Sequence, residues 1–153
     1  MIVRTGDFAD PKVLAVLREH LAGMQSNSPL GSVYALDVER LRSKSIAFYS
    51  VWNSTEDVVM AIGALKEIDP VTGEVKSMRT AQGHLRRGAA AFLLEFLINK
   101  ALQRGYRRLC LETGSGPAFE PALALYRRYG FENCEPFGDY EASGFNQFLH
   151  LQV

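Results

Sequence analysis

Apolar residues recur at two different spacings, which divide the chain into helical and extended segments. In the first segment they return every three to four residues, the period of an amphipathic helix, at Val13, Leu14, Leu17, Leu21 and Met24. Asp10 and Pro11 predict where this helix begins, because a carboxylate caps free amides and proline fits the first turn. From residue 45 the pattern changes to β-branched and aromatic residues and predicts an antiparallel pair of strands, 45–52 and 57–68.

The rest of the chain continues this alternation of extended and helical segments. Residues 25–32 are rich in breakers and predict a loop, ahead of a short helix over 37–44 with Asp37 as its cap. The other predicted elements are a strand at 2–4, a strand over 74–80, a helix from Arg86 or Arg87 to Arg104 with a stop at Gly105, a strand over 106–113, a helix over 117–131 closed by Gly130, and a last strand over 146–153. The order β-α-α-β-β-β-α-β-α-β-β indicates the α/β class in its α+β form, with a mixed sheet covered by helices on both faces.

The balance of charge excludes some classes of partner. The chain has 153 residues, with 17 basic and 17 acidic side chains, so its net charge is zero. A neutral chain has no general attraction for nucleic acid or for an anionic membrane, and we expect neither as a partner. The length predicts one domain, residues 1–153, with room for a sizeable core. Any phosphate binding must therefore depend on a local arrangement of residues.

Cysteine usage and the distribution of apolar residues indicate the compartment. Cys110 and Cys134 are too few for a disulfide framework and predict a reducing environment. Residues 1–10 lack the apolar stretch of a signal peptide. No segment approaches the roughly 18 uninterrupted apolar residues that a membrane-spanning helix needs. We therefore expect a cytoplasmic protein.

The stretch HLRRGAAAFLL, residues 84–94, places the smallest side chains where a helix is expected to begin. The first turn of a helix leaves about four backbone N–H groups without internal partners and carries the positive end of the dipole, which favours a bound phosphate. Gly88 and the alanines after it would leave that approach open, and the two preceding arginines would add charge. Close packing of the helix on a sheet also favours small residues, so both interpretations stay open. The P-loop and GxGxxG phosphate motifs do not occur in the sequence.

The segment LRRGAA, residues 85–90, resembles the cofactor motif of the GCN5-related N-acetyltransferase (GNAT) superfamily. That motif runs Gln or Arg, two residues, Gly, one residue, then Gly or Ala, and it lies at a strand–loop–helix junction. Gly88 and Ala90 match the motif, whereas Leu85 stands where Gln or Arg is expected. LALYRRYGF, residues 123–131, resembles the LYxxxGF signature on the helix after the next strand.

The resemblance follows the element order over residues 45–153 and implies a mixed, mostly antiparallel sheet of six to seven strands. It also implies acetyl-coenzyme A as the acyl donor. The cofactor would contact the end of one strand, the motif and the following helix, at Met78, Arg79, Thr80, Leu85, Arg86, Arg87, Gly88, Ala89, Ala90 and Phe119. Phe119 departs from the family, which often has an asparagine here to hold the pantetheine arm.

The tyrosine of the second motif is implied to act in catalysis. By position, Tyr126 would lie near the sulfur of coenzyme A and protonate the departing thiolate. It shares helical spacing with Phe119, Ala122 and Tyr129, so an ordinary place in the core is the alternative. A backbone amide at residues 78–80 would bind the oxyanion that forms at the thioester carbonyl.

The resemblance also suggests where a general base would lie. Several family members carry the base on the strand before the glycine motif, which points to Glu74. Lys76 suits the role less, because a lysine must first lose its proton. Glu112, at the end of the next strand, is a rival base and a candidate acceptor contact, and Glu67 is a second rival. A solvated carboxylate on the surface is the alternative for each of the three acids.

Acceptor recognition is expected from residues around the same junction. Ser28 and Tyr34 belong to the segment between the first two helices and are candidate acceptor contacts, although a plain surface loop is equally consistent with the sequence. Arg79 and Arg4 are candidates for holding a carboxylate of the acceptor, with ordinary solvated arginines as the alternative. Residues 138–140, Gly-Asp-Tyr, are placed to close the site from the C-terminal side.

The implied function is an N-acetyltransferase that moves an acetyl group to the amine of a small-molecule, amino-acid-like acceptor in a ternary complex. A non-catalytic module that binds coenzyme A and acts as a sensor is the alternative, favoured by the departures at Leu85 and Phe119. A different acyl donor, such as succinyl-coenzyme A, is also open. The histidines are scattered and no cluster has metal-ligand spacing, so no metal is expected. A GxSxG hydrolase elbow is missing. Dimerisation is common in the family, and a homodimer is consistent with the resemblance.

Overall fold

A computed structural model describes residues 1–27 and 38–153 of the chain, apart from the side chain of Val38. The strands are β1 (Ile2–Thr5), β2 (Ile46–Trp52), β3 (Val59–Asp69), β4 (Thr72–Thr80), β5 (Arg108–Thr113), β6 (Glu132–Asn133) and β7 (Gln147–Gln152). The helices are α1 (Pro11–Asn27), α2 (Val38–Leu41), α3 (Ala89–Gln103) and α4 (Glu120–Arg128), with a 3₁₀ turn at Pro117–Phe119 before α4. This order confirms the element order predicted from the sequence. Asp37, Ser28 and Tyr34 lie outside the described residues.

The seven strands form one sheet in the order β1-β2-β3-β4-β5-β7-β6. The pair β4–β5 is parallel, and the other neighbouring pairs are antiparallel. A parallel pair needs a long crossover connection, and α3 supplies it between β4 and β5. The predicted mixed, mostly antiparallel sheet is therefore confirmed.

Strands β4 and β5 separate soon after they meet. Their pairing covers only residues 72–74 of β4 and 108–110 of β5. Beyond Glu74, β4 continues for six more residues to Thr80, while β5 ends at Thr113. Residues 75–80 thus have a strand partner on the β3 side and none on the β5 side. A wedge-shaped opening is left in the middle of the sheet.

A β-bulge interrupts β4 beside this opening. Gly63 of β3 faces two residues of β4, Ser77 and Met78, because the register steps between Ile62 and Ala64. Ser77 has a φ of 57°, an uncommon value for a residue with a side chain. A Cβ on Gly63 would lie 2.6 Å from the Met78 sulfur and 2.8 Å from a Leu93 methyl, so a larger residue opposite the bulge would require these side chains to move.

Two apolar clusters lie on opposite faces of the sheet. Helices α3 and α4 pack on one face, through residues such as Leu93, Leu97 and Leu123. Helix α1 and α2 pack on the other face, where Leu17 and Leu41 are almost fully buried. Helices on both faces were predicted, and the clusters confirm it. Over the described ranges, none of these helices combines the length and apolarity of a bilayer-crossing segment.

Helix α1 begins where the sequence predicts and ends later. The Asp10 carboxylate accepts a hydrogen bond of 2.9 Å from the Lys12 amide, which is the expected N-terminal cap. Residues 25–27 were assigned to a loop, and this was wrong, since the helix continues to Asn27. The Asn27 side-chain amide donates to the Gly23 carbonyl at 2.8 Å and so supports the last turn.

Helix α3 begins later than predicted. It starts at Ala89, whereas the sequence analysis placed its start at Arg86 or Arg87. Arg86 and Gly88 have φ values of 62° and 84°, and this left-handed geometry is incompatible with a continuing helix. The end of α3 agrees with the prediction, because Gly105 has a φ of 81° and follows the last turn.

Candidate active site

The opening between β4 and β5 leads into a cleft of about 1100 Å³. The second half of β4, the loop after it and the first turn of α3 form one wall. The end of β5, the 3₁₀ turn and α4 form the facing wall, and the C-terminal half of α1 closes one end. The lining of the cleft therefore comes from elements on both faces of the sheet.

The structure brings most of the predicted site residues together in this cleft. Its lining includes Glu74, Met78, Arg79, Thr80, Leu85, Arg86, Gly88, Ala89, Ala90, Glu112, Phe119 and Tyr126. Arg87 is exposed and is not among the residues that line the cleft, so its assignment as a cofactor contact stays a prediction.

Two other candidates lie elsewhere. The guanidinium of Arg4 stacks on the Trp52 ring at 4.3 Å and pairs with Asp7 and Glu56 at 3.4 Å each, away from the cleft. Glu67 accepts a hydrogen bond of 3.0 Å from the Tyr106 hydroxyl, also outside the cleft. Arg4 as an acceptor contact and Glu67 as a base are therefore not supported by the geometry.

The start of α3 presents open backbone to the cleft. Gly88 is the N-cap with a left-handed φ of 84°, and a Cβ there would meet no atom within 4 Å. Within the described residues, the amides of Gly88, Ala89 and Ala90 donate to no backbone or side-chain acceptor. Free amides at the positive end of a helix dipole suit a bound anion. Arg86 is the basic side chain of this loop that lines the cleft.

Tyr126 packs in the apolar core and also lines the cleft. It is 6% exposed and packs in the cluster beneath α3 and α4, with its ring 5.7 Å from that of Phe131. It also lines the cleft, and no partner for its hydroxyl is found among the described residues. Burial raises the pKa of the phenol well above its usual value, so it stays protonated at any physiological pH. The two interpretations of Tyr126 are thus compatible.

An aromatic pair replaces the asparagine expected at this wall. Phe119 is 8% exposed, and its ring meets that of Phe145 edge to face at 5.4 Å. A Cβ on Gly114 would lie 2.4 Å from the Phe145 ring and 2.7 Å from the Phe119 ring. The sequence analysis overlooked Phe145 and Gly114, because only the fold brings these three residues together. The wall here offers apolar contact instead of hydrogen bonds.

A compact polar cluster lies where β4 and β5 separate. Glu74 is 3% exposed and pairs with the Lys76 ammonium at 3.1 Å. The Tyr140 hydroxyl donates to the same carboxylate oxygen at 2.5 Å and accepts a hydrogen bond from Lys76. Tyr140 comes from the Gly-Asp-Tyr segment that was expected to close the site. Both contacts of Glu74 are made through the same oxygen, Oε2.

Glu112 lies on the opposite side of the opening and has a different electrostatic environment. Burial raises the pKa of its carboxyl to about 7, against the opposing effects of Lys76 and a hydrogen bond from Asn146. The nearby charge of Glu74 raises the pKa further. A carboxyl that titrates close to neutrality can accept and release protons under working conditions.

Helix α1 contributes a third wall that the sequence analysis overlooked. Glu19, His20 and Gly23 line the cleft opposite Arg79. Burial, followed by the charge of Arg79, lowers the pKa of His20 to about 4, so the imidazole is neutral at physiological pH. Glu19 and His20 lie among the core positions of an amphipathic helix. No sequence motif marks either residue as functional.

The sequence carries the signature of a known family. The family model described as Acetyltransferase (GNAT) family matches residues 15–131. Uncharacterized N-acetyltransferase YsnE of Bacillus subtilis (strain 168) is 46% identical over 140 residues, which cover 92% of this chain and 91% of YsnE. Uncharacterized N-acetyltransferase YedL of Escherichia coli (strain K12) is 42% identical over 151 residues, which cover 99% of this chain and 94% of YedL. The chain belongs to the GNAT family and is an acetyltransferase.

Solved structures share the fold over the full chain. A candidate acyl-CoA N-acyltransferase from Klebsiella pneumoniae superposes with a TM-score of 0.77 at 22% identity, covering 99% of this chain and 96% of the other. A GNAT family acetyltransferase from Elizabethkingia anophelis, with acetyl-CoA bound, superposes with a TM-score of 0.67 at 18% identity, covering 99% and 97%. These similarities confirm the GNAT fold that the resemblance implied.

Proposed function

We propose that this acetyltransferase moves the acetyl group of acetyl-coenzyme A to the amine of a small-molecule acceptor, by direct attack in a ternary complex. One observation carries the proposal: a single cleft joins open backbone at β4 and α3 to a pair of carboxylates at Glu74 and Glu112. A thioester laid along β4 would bring its carbonyl carbon between these regions. The related structure that holds acetyl-CoA supports the choice of donor.

Backbone groups would hold most of the cofactor. The edge of β4 beyond Glu74 lacks a strand partner, so the amides of a pantetheine arm would bond to it as a short extra strand. The diphosphate would lie against the free amides of residues 88–90, with Arg86 adding charge. An amide freed by the bulge, within residues 78–80, would bind the oxyanion of the tetrahedral intermediate.

The two carboxylates are suited to different tasks. Glu74 is bonded to both Lys76 and Tyr140 through one oxygen, which is therefore already occupied. Glu112 has a pKa of about 7 and is the better proton acceptor for an ammonium that must lose a proton before it attacks. Glu74 was the base favoured by the sequence, and the geometry favours Glu112. Glu74 would then attract the ammonium and keep the pKa of Glu112 high.

Tyr126 would act on the departing sulfur. Tyr126 lines the cleft, its hydroxyl has no partner among the described residues, and burial keeps it protonated. It would donate its hydrogen to the thiolate as the carbon–sulfur bond breaks, and the resulting phenolate would regain a proton from the one that the attacking nitrogen releases as the amide forms. The new amide and free coenzyme A would then leave the cleft.

Direct transfer predicts that no acetyl-enzyme forms. The thiol of Cys110 is fully buried, and burial raises its pKa to about 11, while neither cysteine lines the cleft. Incubation with acetyl-coenzyme A alone is expected to leave the intact mass unchanged, and initial-rate plots against both substrates should intersect. A stoichiometric acetyl adduct together with parallel lines would contradict direct transfer.

Glu112→Gln is expected to remove the rise of kcat/KM near pH 7, a rise that is the same for every acceptor because it comes from the enzyme. The deprotonated carboxylate is the base, so kcat/KM of the wild type rises with pH through the pKa of about 7 and levels above it. Loss of a general base lowers kcat/KM by about 100-fold or more. The pH profile is measured with two acceptors whose amines have different pKa values. A rise that comes from Glu112 keeps its position, whereas a rise that comes from ionisation of the acceptor moves with the pKa of the amine.

Two further variants control this experiment. Glu67→Gln removes a carboxylate outside the cleft and should leave the profile unchanged. If the rise near pH 7 persists in Glu112→Gln and disappears in Glu74→Gln, the base is Glu74, and the assignment to Glu112 is wrong. The variant in which the rise of kcat/KM near pH 7 disappears identifies the base, whereas the size of the rate loss does not.

A direct test of the proposed function is an acceptor screen that follows release of the coenzyme A thiol. We expect turnover with acetyl-coenzyme A and at least one small amine, at rates that depend on Tyr126 and Glu112. A protein that binds acetyl-coenzyme A tightly yet acetylates nothing would instead match the sensing module that the Leu85 and Phe119 departures left open. Substituting succinyl-coenzyme A in the same assay tests the alternative donor.

A further inference from the structure

The β-bulge determines which face of the sheet Arg79 occupies. Directly paired residues on neighbouring strands share a face, and Arg79 pairs with Ile62 while Lys76 pairs with Ala64. Ile62 and Ala64 both belong to the apolar cluster beneath α1. In a regular strand, residues three apart point to opposite faces, so the extra residue of the bulge is what turns Arg79 toward α1.

Helix α1 contacts the guanidinium of Arg79 but does not accept hydrogen bonds from all of its N–H groups. A Cβ on Gly23 would lie 2.8 Å from Nη1, so the absence of a side chain there makes room for the group. Nη2 is 3.6 Å from Glu19 Oε1, beyond hydrogen-bond distance, and that oxygen already accepts the Gln82 amide at 3.0 Å. Nε is buried and has no hydrogen-bond partner in the described part of the chain. Arg79 is therefore ion-paired with Glu19 and still has N–H donors that no described residue uses.

His20 lies on α1, across the cleft from Arg79 and close enough for the arginine charge to lower the pKa of the imidazole. It is 7% exposed, lines the cleft, and makes no hydrogen bond with any described residue. The pKa of about 4 keeps the imidazole neutral, with one N–H that can donate. An imidazole N–H on the lining of the cleft can donate to a bound ligand. The cationic donor Arg79 and the neutral donor His20 thus both line the cleft.

We propose that Arg79 and His20 bind a carboxylate of the acceptor, so that the acceptor is an amino acid or a related zwitterion whose amine points toward Glu112. This inference rests on the proposed acetyl transfer and names the substrate class. The cleft has a carboxylate pair at Glu74 and Glu112 and, on the α1 side, the guanidinium of Arg79, which is ion-paired with Glu19 through Nη2 and has further N–H groups to offer a carboxylate. Glu19 faces Arg79 from α1, but its shared oxygen is bound to the Gln82 amide.

The test uses matched acceptors that differ only in the carboxylate. Each protein amino acid, β-alanine and γ-aminobutyrate is assayed beside its carboxamide and its decarboxylated amine, with acetyl-coenzyme A saturating. We expect the best acceptor to carry a free carboxylate and its kcat/KM to exceed that of its amide and amine by about 10- to 100-fold, typical of a lost charged hydrogen bond.

Substitution of the arginine then links the preference to this wall. Arg79→Gln should reduce the carboxylate preference to within about threefold, mainly through KM, and His20→Gln should reduce it less. Arg4→Gln is the matched control, since Arg4 is a strand arginine outside the cleft, and it should keep the wild-type preference. Thermal unfolding and acetyl-coenzyme A affinity are measured for each variant, to exclude misfolding.

Several results would overturn the inference. These are a best acceptor that lacks a carboxylate, a preference that survives Arg79→Gln in a folded variant, or acetyl-coenzyme A binding with no carboxylate-bearing amine acetylated. Turnover of amines without a carboxylate preference would leave the proposed function intact. Failure to bind acetyl-coenzyme A at all would contradict both the proposed acetyl transfer and the carboxylate site.

Discussion

Gly88→Glu is expected to lower the affinity for acetyl-coenzyme A by more than about 100-fold, since a like charge placed at an anion site costs several kcal/mol. The Cβ position of Gly88 faces open space, so the new side chain would occupy the place proposed for the diphosphate. Its negative charge would also oppose the cofactor phosphates. Calorimetric titration with acetyl-coenzyme A measures the loss.

Gly105→Glu is the matched control for backbone strain. Gly105 has a φ of 81°, close to the 84° of Gly88, and a Cβ there also meets no atom within 4 Å. It follows the opposite end of α3, outside the cleft. Both variants carry the cost of a side chain in the left-handed region, about 1–3 kcal/mol. Equal affinities for acetyl-coenzyme A in Gly88→Glu and wild type would show that the small residues serve packing alone.

Tyr126→Phe is expected to lower kcat by about 100-fold, the size typical of a lost general acid, while the affinity for acetyl-coenzyme A changes little. The ring keeps its packing against Phe131, and the deleted hydroxyl has no partner among the described residues to leave unsatisfied. We therefore expect a small change in Tm. Single-turnover rates measured beside Tm separate catalysis from stability.

Tyr129→Phe controls for the loss of a tyrosine hydroxyl on the same helix end. The Tyr129 hydroxyl donates to Glu95 at 2.5 Å on the exposed side, and Tyr129 does not line the cleft. Its kcat should match the wild type. If Tyr126→Phe instead lowers Tm and keeps kcat, Tyr126 serves the core only, and another group must protonate the thiolate.

Local pattern was sufficient to predict most elements of this fold. Helices α1, α3 and α4 have apolar residues at helical spacing, and Gly105 and Gly130 mark helix ends, so they were predicted closely. The start of α3 was misplaced because the left-handed backbone at Arg86 has no signal in residue propensities. The bulge at residues 77–78 was likewise missed, and simple alternation would have turned Arg79 to the wrong face.

The site was predictable only where a motif marks it. Gly88 and Tyr126 were found through their motifs, whereas the partners of Glu74 depend on contacts between distant segments. Tyr140 is 66 residues away from Glu74 in sequence and meets it only through the fold. His20 lacks any motif, and the pKa of Glu112 follows from burial, which a single sequence does not reveal.

The most direct test of the account is calorimetric titration of the protein with acetyl-coenzyme A beside free pantetheine. Binding through the amides of residues 88–90 predicts a dissociation constant on the order of micromolar for acetyl-coenzyme A. It also predicts at least about a 100-fold loss for pantetheine, which lacks the phosphates that a helix N-terminus holds. Absence of acetyl-coenzyme A binding, or equal binding of pantetheine, would contradict the account, because neither result is compatible with a phosphate site at the start of α3.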